Sequence, residues 1–174
     1  MSYAEKLKQF NSTEKYKSEL KFLKKFIGMS HKRVLDYGCG NGCAVESLQK
    51  FGYNVYGCDI NEHNFDFDYH DLQDTDNFNV VYFMHSLAHI ENVKQLLNWY
   101  FFEGKKVVVI TPNADWLELN KNDFYKPDDS VVKHFKQSEL VELFEGCGFR
   151  IEECGQFGKL TGNQNERLFL VAVK

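Results

Sequence analysis

The chain has 174 residues, the size of one domain, and its 43% hydrophobic and 16% aromatic residues suffice for a substantial core. A net charge of −4 speaks against a broad basic face for nucleic acid. Five cysteines, an odd number with no CxxC pair, speak against a disulfide framework or a four-cysteine zinc site, so reduced thiols are expected.

No apolar run approaches the ~20 residues of a membrane-spanning helix. The opening MSYAEKLKQF lacks the apolar core of a secretion signal, and a cytoplasmic location is expected. The Lys-rich segment from Lys6 to Lys25 reads as a solvated helix face. From Ser12 to Ile27, apolar residues at Tyr16, Leu20, Leu23 and Ile27 follow the helical period and predict one buried face. KRVLDYG is a short apolar strand, CAVESLQKFG a helix closed by Gly52, and YNVYGCD a second strand. The pattern then repeats. Asn79 to Met84 is a strand, Asn92 to Phe101 a helix, and KKVVVITP a strand apolar throughout, hence buried on both faces. KQSELVELFEGCG is a helix with Ser138 as its N-terminal cap. FRIEECGQ and RLFLVAV form a closing antiparallel hairpin. Alternation of strand and helix predicts an α/β fold, a doubly wound sheet with helices on both faces. Only eighteen residues separate Asp59 from Phe78, which leaves a stub of strand near Phe67 to His70 and little or no crossover helix.

VLDYGCGNG joins the first strand to the first following helix and spends three glycines within five residues. Such a loop lies at the carboxyl end of the sheet, where ligands bind. Glycines there permit a tight turn and remove the Cβ atoms that would fill the ligand's place. Asp59 ends the second strand, nineteen residues beyond Gly40, at the offset where an acid accepts hydrogen bonds from ribose hydroxyls. Loop and acid together imply an adenosine-containing ligand. A dinucleotide fingerprint needs a third small residue where Cys43 stands, and Asp36 repels a pyrophosphate. An acid suits a ligand with an amino group and no phosphate, such as S-adenosylmethionine.

These motifs resemble those of the class I S-adenosylmethionine-dependent methyltransferases. VLDYGCGNG is similar to their first motif, VYGCDIN to the second, FNVVYFMHSLAHIEN to the fourth-strand motif, and FKQSELVELFEGCGFRIEE to the helix and strand after the fifth. The resemblance runs from about Tyr16 to Lys174, with its closest flavour in the small-molecule O-methyltransferases of ubiquinone biosynthesis. It implies a Rossmann-like sheet of order 3-2-1-4-5-7-6 with the last strand antiparallel, in a single domain over 1–174. Residues 1–30 are then an N-terminal helical segment and 111–135 a cover over the acceptor. It further implies S-adenosylmethionine as cofactor. Asp36, Gly38 and Gly40 line its methionine end, Asp59 its ribose and Ile60 its adenine. Asp71, with Leu72, lies at the adenine amino group, and Phe83 and Met84 flank the methionine. Tyr16 or a neighbouring lysine closes from the first helix.

Methyl transfer needs alignment of donor and acceptor, and a base only where the acceptor must lose a proton. His85, His89 and His134 are the catalytic candidates; packing or capping is the competing reading for each. His85 and His89 also have the spacing of a helical metal pair, but no third ligand accompanies them, and no metal is expected. The acids at 66, 68, 71, 74 and 76 lack the glycine and glutamate of a calcium loop and read as surface. Asn113, Trp116, Phe124, Tyr125 and His134 are either an acceptor-pocket wall or the cover's own small core. The expected partner is a small-molecule methyl acceptor taken on oxygen or nitrogen. The rivals are a nicotinamide oxidoreductase, which lacks its Tyr-x-x-x-Lys pair here, a non-catalytic cofactor-binding module, and a transferase acting on RNA.

Overall fold

The computed structural model describes residues 16–28, 32–60, 78–99, 102–120 and 130–174. They fall into two compact units that part between Met84 and His85.

The first unit holds helix α1 (Lys17–Ile27), strand β1 (Arg33–Tyr37), helix α2 (Cys43–Lys50), strand β2 (Asn54–Cys58) and strand β3 (Val80–Met84). Leu20, Leu23 and Ile27 of α1 are buried, the stripe its periodicity predicts. Strand β1 lies between β2 and β3, parallel to both. It is buried from Val34 to Tyr37, as a parallel strand covered on both faces must be. Register assigns its faces. Val34 and Asp36 stand beside Val80 and Tyr82, while Leu35 stands beside Val81 on the other face. Tyr37 and Phe83 share that second face, ring centroids 5.2 Å apart. Helix α2 ends where expected: the Gly52 amide donates to the Gln49 carbonyl, with Gly52 at φ 82°. The stub of strand near Phe67 to His70 lies outside the described residues, as do Asp71, Leu72 and the acidic run.

The second unit opens with a single 3₁₀ turn (Leu87–His89) and helix α3 (Val93–Leu97). Strand β4 (Lys106–Pro112), helix α4 (Ala114–Leu119), helix α5 (Gln137–Glu145), strand β5 (Arg150–Thr161) and strand β6 (Gln164–Val173) follow. Strand β6 lies between β4 and β5, antiparallel to each. The closing hairpin and its direction are as expected, and both strands run further than the apolar segments suggested. Val107 to Ile110 are at most 1% exposed, in line with a strand covered on both faces. Phe144 and Phe149 meet edge to face at 5.1 Å, and Phe102 joins them at 6.0 Å from Phe149.

Two local expectations are corrected. Helix α3 is shorter than Asn92 to Phe101. Asn92 caps it by accepting from the Gln95 amide, and the Trp99 amide reaches back only three residues to Leu96, which tightens and ends the helix. Helix α5 starts one residue before Ser138, with Lys136 at the cap position; the Glu139 carboxylate accepts the Lys136 amide at 2.9 Å and does the work expected of the serine. Helix α4 stands inside the segment read as the acceptor cover, and the Asn113 side chain caps it by accepting from the Asp115 amide.

Candidate cofactor site

The glycine loop between β1 and α2 explains its own composition. Gly38, Gly40 and Gly42 have φ of 77°, 58° and 76°. All three are left-handed, a conformation that costs L-residues with a Cβ roughly 1–2 kcal/mol each. Strand β2 holds the loop in place: the Cys58 carbonyl accepts from the amides of both Gly38 and Cys39, at 2.8 and 3.0 Å. Asn41 accepts the Cys43 amide at 3.2 Å and so caps the start of α2. Gly57 completes the packing, since a Cβ there would stand 2.7 Å from the Cys39 sulfur.

Asp59 follows β2 and is half-buried. Its Oδ2 accepts the Gly40 amide at 2.8 Å. The two sequence features that implied an adenosine ligand are therefore joined by a hydrogen bond across nineteen residues. Ile60, next in the chain, is 79% exposed.

Asp36 occupies the last inward position of β1 and is 2% exposed. Burial pushes its carboxyl up to about 8; Tyr82 opposes this in part, and the charge of Asp59 adds the smallest contribution upward. Tyr82 is its register neighbour on β3 and is likewise buried. Asp36 Oδ1 and the Tyr82 hydroxyl act on each other electrostatically, and neither has a partner within full hydrogen-bond distance and angle. The thiols nearby are inert: burial raises Cys58 to about 12 and Cys39 higher still.

The loop thus offers backbone without side chains, an acid fixed at the second strand tip, and a buried carboxyl with an unused oxygen. These groups fit a nucleoside carrying a cationic amino group. Among the expected ligand residues, Asp36, Gly38, Gly40 and Asp59 lie together in this one unit. Phe83 does not join them; it is fully buried on the opposite face of β3, packed on Tyr37. Met84 is half-buried at the strand end, and Tyr16 sits half-buried just before α1, its carbonyl accepting the Leu20 amide. Sequence reasoning missed Tyr82, because nothing local marks a tyrosine in an apolar strand as the register neighbour of an acid.

The histidines belong to the second unit. His85 takes φ 63°, and its amide donates to the Ile110 carbonyl at 2.8 Å. His89 ends the 3₁₀ turn, so His85 and His89 do not share a helix face, and the geometry of a helical metal pair is not built. Instead His89 lies within electrostatic reach of His134. The segment before α5 docks on the turn through the amides of Val132 and Lys133, which both donate to the Ala88 carbonyl. His89 Nδ1 lies 3.1 Å from the Ser130 carbonyl oxygen. Burial first, and the neighbouring His89 second, lower the pKa of His134 and favour its neutral form.

Asn113 is fully buried and fully engaged. Its amide donates to Gln164 at 3.2 Å and to the Asn165 carbonyl at 2.8 Å, pinning α4 to the hairpin. Trp116 donates to the Thr161 hydroxyl at 3.1 Å. Both side chains thus serve a local core. Phe124 and Tyr125 lie outside the described residues.

The comparisons with known proteins agree with this geometry. Residues 3–154 match the methyltransferase domain family. A SAM-dependent methyltransferase from Archaeoglobus fulgidus has the same fold, with TM-score 0.72, 21% identity and full coverage of both chains. The small RNA methyltransferase HEN1 shares it at TM-score 0.70 and 13% identity, over 91% of this chain and 25% of that one. A ubiquinone biosynthesis O-methyltransferase of Hydrogenovibrio crunogenus (strain DSM 25203 / XCL-2) is 46% identical over 43 residues, which span 25% of this chain and 18% of that protein. The chain belongs to the methyltransferase domain family and carries its class I, Rossmann-like α/β fold.

Proposed function

We propose that the protein transfers the methyl group of S-adenosylmethionine to an oxygen or nitrogen of a small-molecule acceptor. The bond from Asp59 to the Gly40 amide carries the cofactor half of this reading, because it fixes the ribose-binding acid beside the bare backbone of the loop. In this reading Asp36 and the amides of Gly38 and Gly40 hold the methionine end. Asp59 holds the ribose hydroxyls and exposed Ile60 covers the adenine. Asp71 and Leu72 meet the adenine edge, Met84 and Tyr16 border the cofactor, and Phe83 backs the strand from behind. The bound cofactor supplies an activated methyl group on a sulfonium. The protein's part is to align the acceptor in line with it and to exclude water.

His134, whose neutral form burial favours, is the histidine assigned to accept a proton from the acceptor; His89 acts on it electrostatically and His85 shapes the turn. The acceptor class rests on the partial likeness to the ubiquinone biosynthesis O-methyltransferase and on the net charge of −4. The likeness to the small RNA methyltransferase makes RNA the rival acceptor.

A methyl-transfer assay over a panel of phenols, carboxylates and amines, with structured RNA as a further arm, tests the proposal. Wild type is expected to methylate at least one small molecule. Asp59→Ala is expected to weaken cofactor binding about 10- to 100-fold, as loss of a charge-assisted hydrogen bond implies. Methylation of RNA alone would overturn the acceptor class, and an undiminished Asp59→Ala variant the cofactor assignment.

A further inference from the structure

Two buried polar groups in the first unit are left without hydrogen-bond partners on neighbouring strands. Asp36 Oδ1 and the Tyr82 hydroxyl are side by side in register on one face of the sheet, 2% and 1% exposed. A buried carboxyl with an unused oxygen costs free energy, and so does a buried phenol without an acceptor. A strand interior filled by valine or phenylalanine carries neither cost. We propose that Tyr82 is a positioning residue, and that with Asp36 it forms a proton-loaded pair which the ammonium group of the cofactor discharges on binding. This rests on the cofactor reading above and adds to it a residue and a proton.

The proton balance is simple. Without ligand, Asp36 holds its proton, because an ionised carboxylate there is desolvated and faces the second carboxylate of Asp59. When the ammonium arrives, the Asp36 proton leaves to buffer and the carboxylate pairs with the cation. The Tyr82 hydroxyl then donates to Oδ1, which satisfies both orphaned groups at once. No bond to carbon or sulfur changes and no redox partner is needed. The other titratable groups coupled to Asp36 are Asp59 after β2, Cys39 in the loop and Cys58 at the end of β2. Both thiols stay protonated through neutral pH, since burial raises each. Asp59 is the one charge among these neighbours, and it favours retention of the Asp36 proton before the ligand arrives.

Titration calorimetry with S-adenosylhomocysteine, which keeps the ammonium group and cannot react, tests the idea on the full chain. At pH 7, run in buffers of different ionisation enthalpy, wild type is expected to release close to one proton per ligand bound. Affinity should rise from about pH 6 to about pH 8, by up to tenfold per unit. Methylthioadenosine, which lacks the amino acid end, is expected to bind with no proton release. Asp36→Asn should abolish the release. Tyr82→Phe keeps the packing and should move the pH midpoint of binding upward, because the carboxylate loses its donor. Binding of S-adenosylhomocysteine with no proton exchange, or a Tyr82→Phe profile identical to wild type, would overturn the pair. Failure of wild type to bind either nucleoside at any pH would instead overturn the cofactor reading, and the pair with it.

Discussion

Asp36 shows how one side chain sets a cost that function must recover. Its carboxyl is raised to about 8 by burial and by Asp59, whereas in the unfolded chain it ionises near ~3.9. Between those values the folded state binds more protons than the unfolded state, so stability falls as pH rises through that window. Below it both states are protonated and the residue is neutral in effect; above it the full penalty is present. Asp36→Asn should therefore raise the unfolding midpoint at pH 8 and change it little at pH 4, as denaturant melts across the pH range will report. The glycines work at the same scale. Gly40, at φ 58°, gives its amide to Asp59, and Gly40→Ala should cost about 1–2 kcal/mol through the left-handed conformation alone. Both features were legible in part. The residues at 36, 38, 40 and 59 announced a ligand by type and spacing, but not that Asp36 would be dry, nor that a tyrosine would face it.

At the scale of elements, periodicity located the helices and strands, and capping chemistry decided their ends. The asparagines at 92 and 113 begin α3 and α4 through side-chain bonds to amides two or three residues on. Ser138 carried the same kind of signal and lost, because Glu139 reaches back to the Lys136 amide and starts the helix earlier. The hairpin of β5 and β6 offers a sharper test. A Cβ on Gly155 would meet the ring of Phe169, its register neighbour, at 2.8 Å. Gly155→Ala should destabilise the protein by about 1–3 kcal/mol, measured by thermal or denaturant unfolding, as expected for overpacking against a buried ring. Gly155→Ala combined with Phe169→Leu should recover much of that loss, because the clash is with the ring.

For the whole molecule, ligand linkage gives the most direct reading of identity. A ligand that binds only the folded state stabilises it by about 2.7 kcal/mol at a hundredfold excess over its Kd. S-adenosylhomocysteine should raise the unfolding midpoint accordingly, and NAD should leave it unchanged, since Cys43 stands where a dinucleotide loop needs a third small residue. A shift with NAD and none with S-adenosylhomocysteine would reverse the assignment. Net charge acts at this scale too: at −4, salt should scarcely alter acceptor binding if the acceptor is a small neutral molecule.

The chain's own order of residues was enough to establish an alternating strand and helix pattern, a closing antiparallel hairpin, a tight glycine turn and an acid at the tip of the next strand. Each of these depends on backbone preference or on short-range periodicity, which neighbours in sequence impose. Tertiary structure alone decided that Asp36 faces Tyr82, that Phe83 turns to the other face, and that His89 is joined to Ser130 and acts on His134. Those outcomes depend on strand register and on which distant segment docks where. The energy that settles them is burial shared between residues far apart in the chain, and no local pattern encodes it.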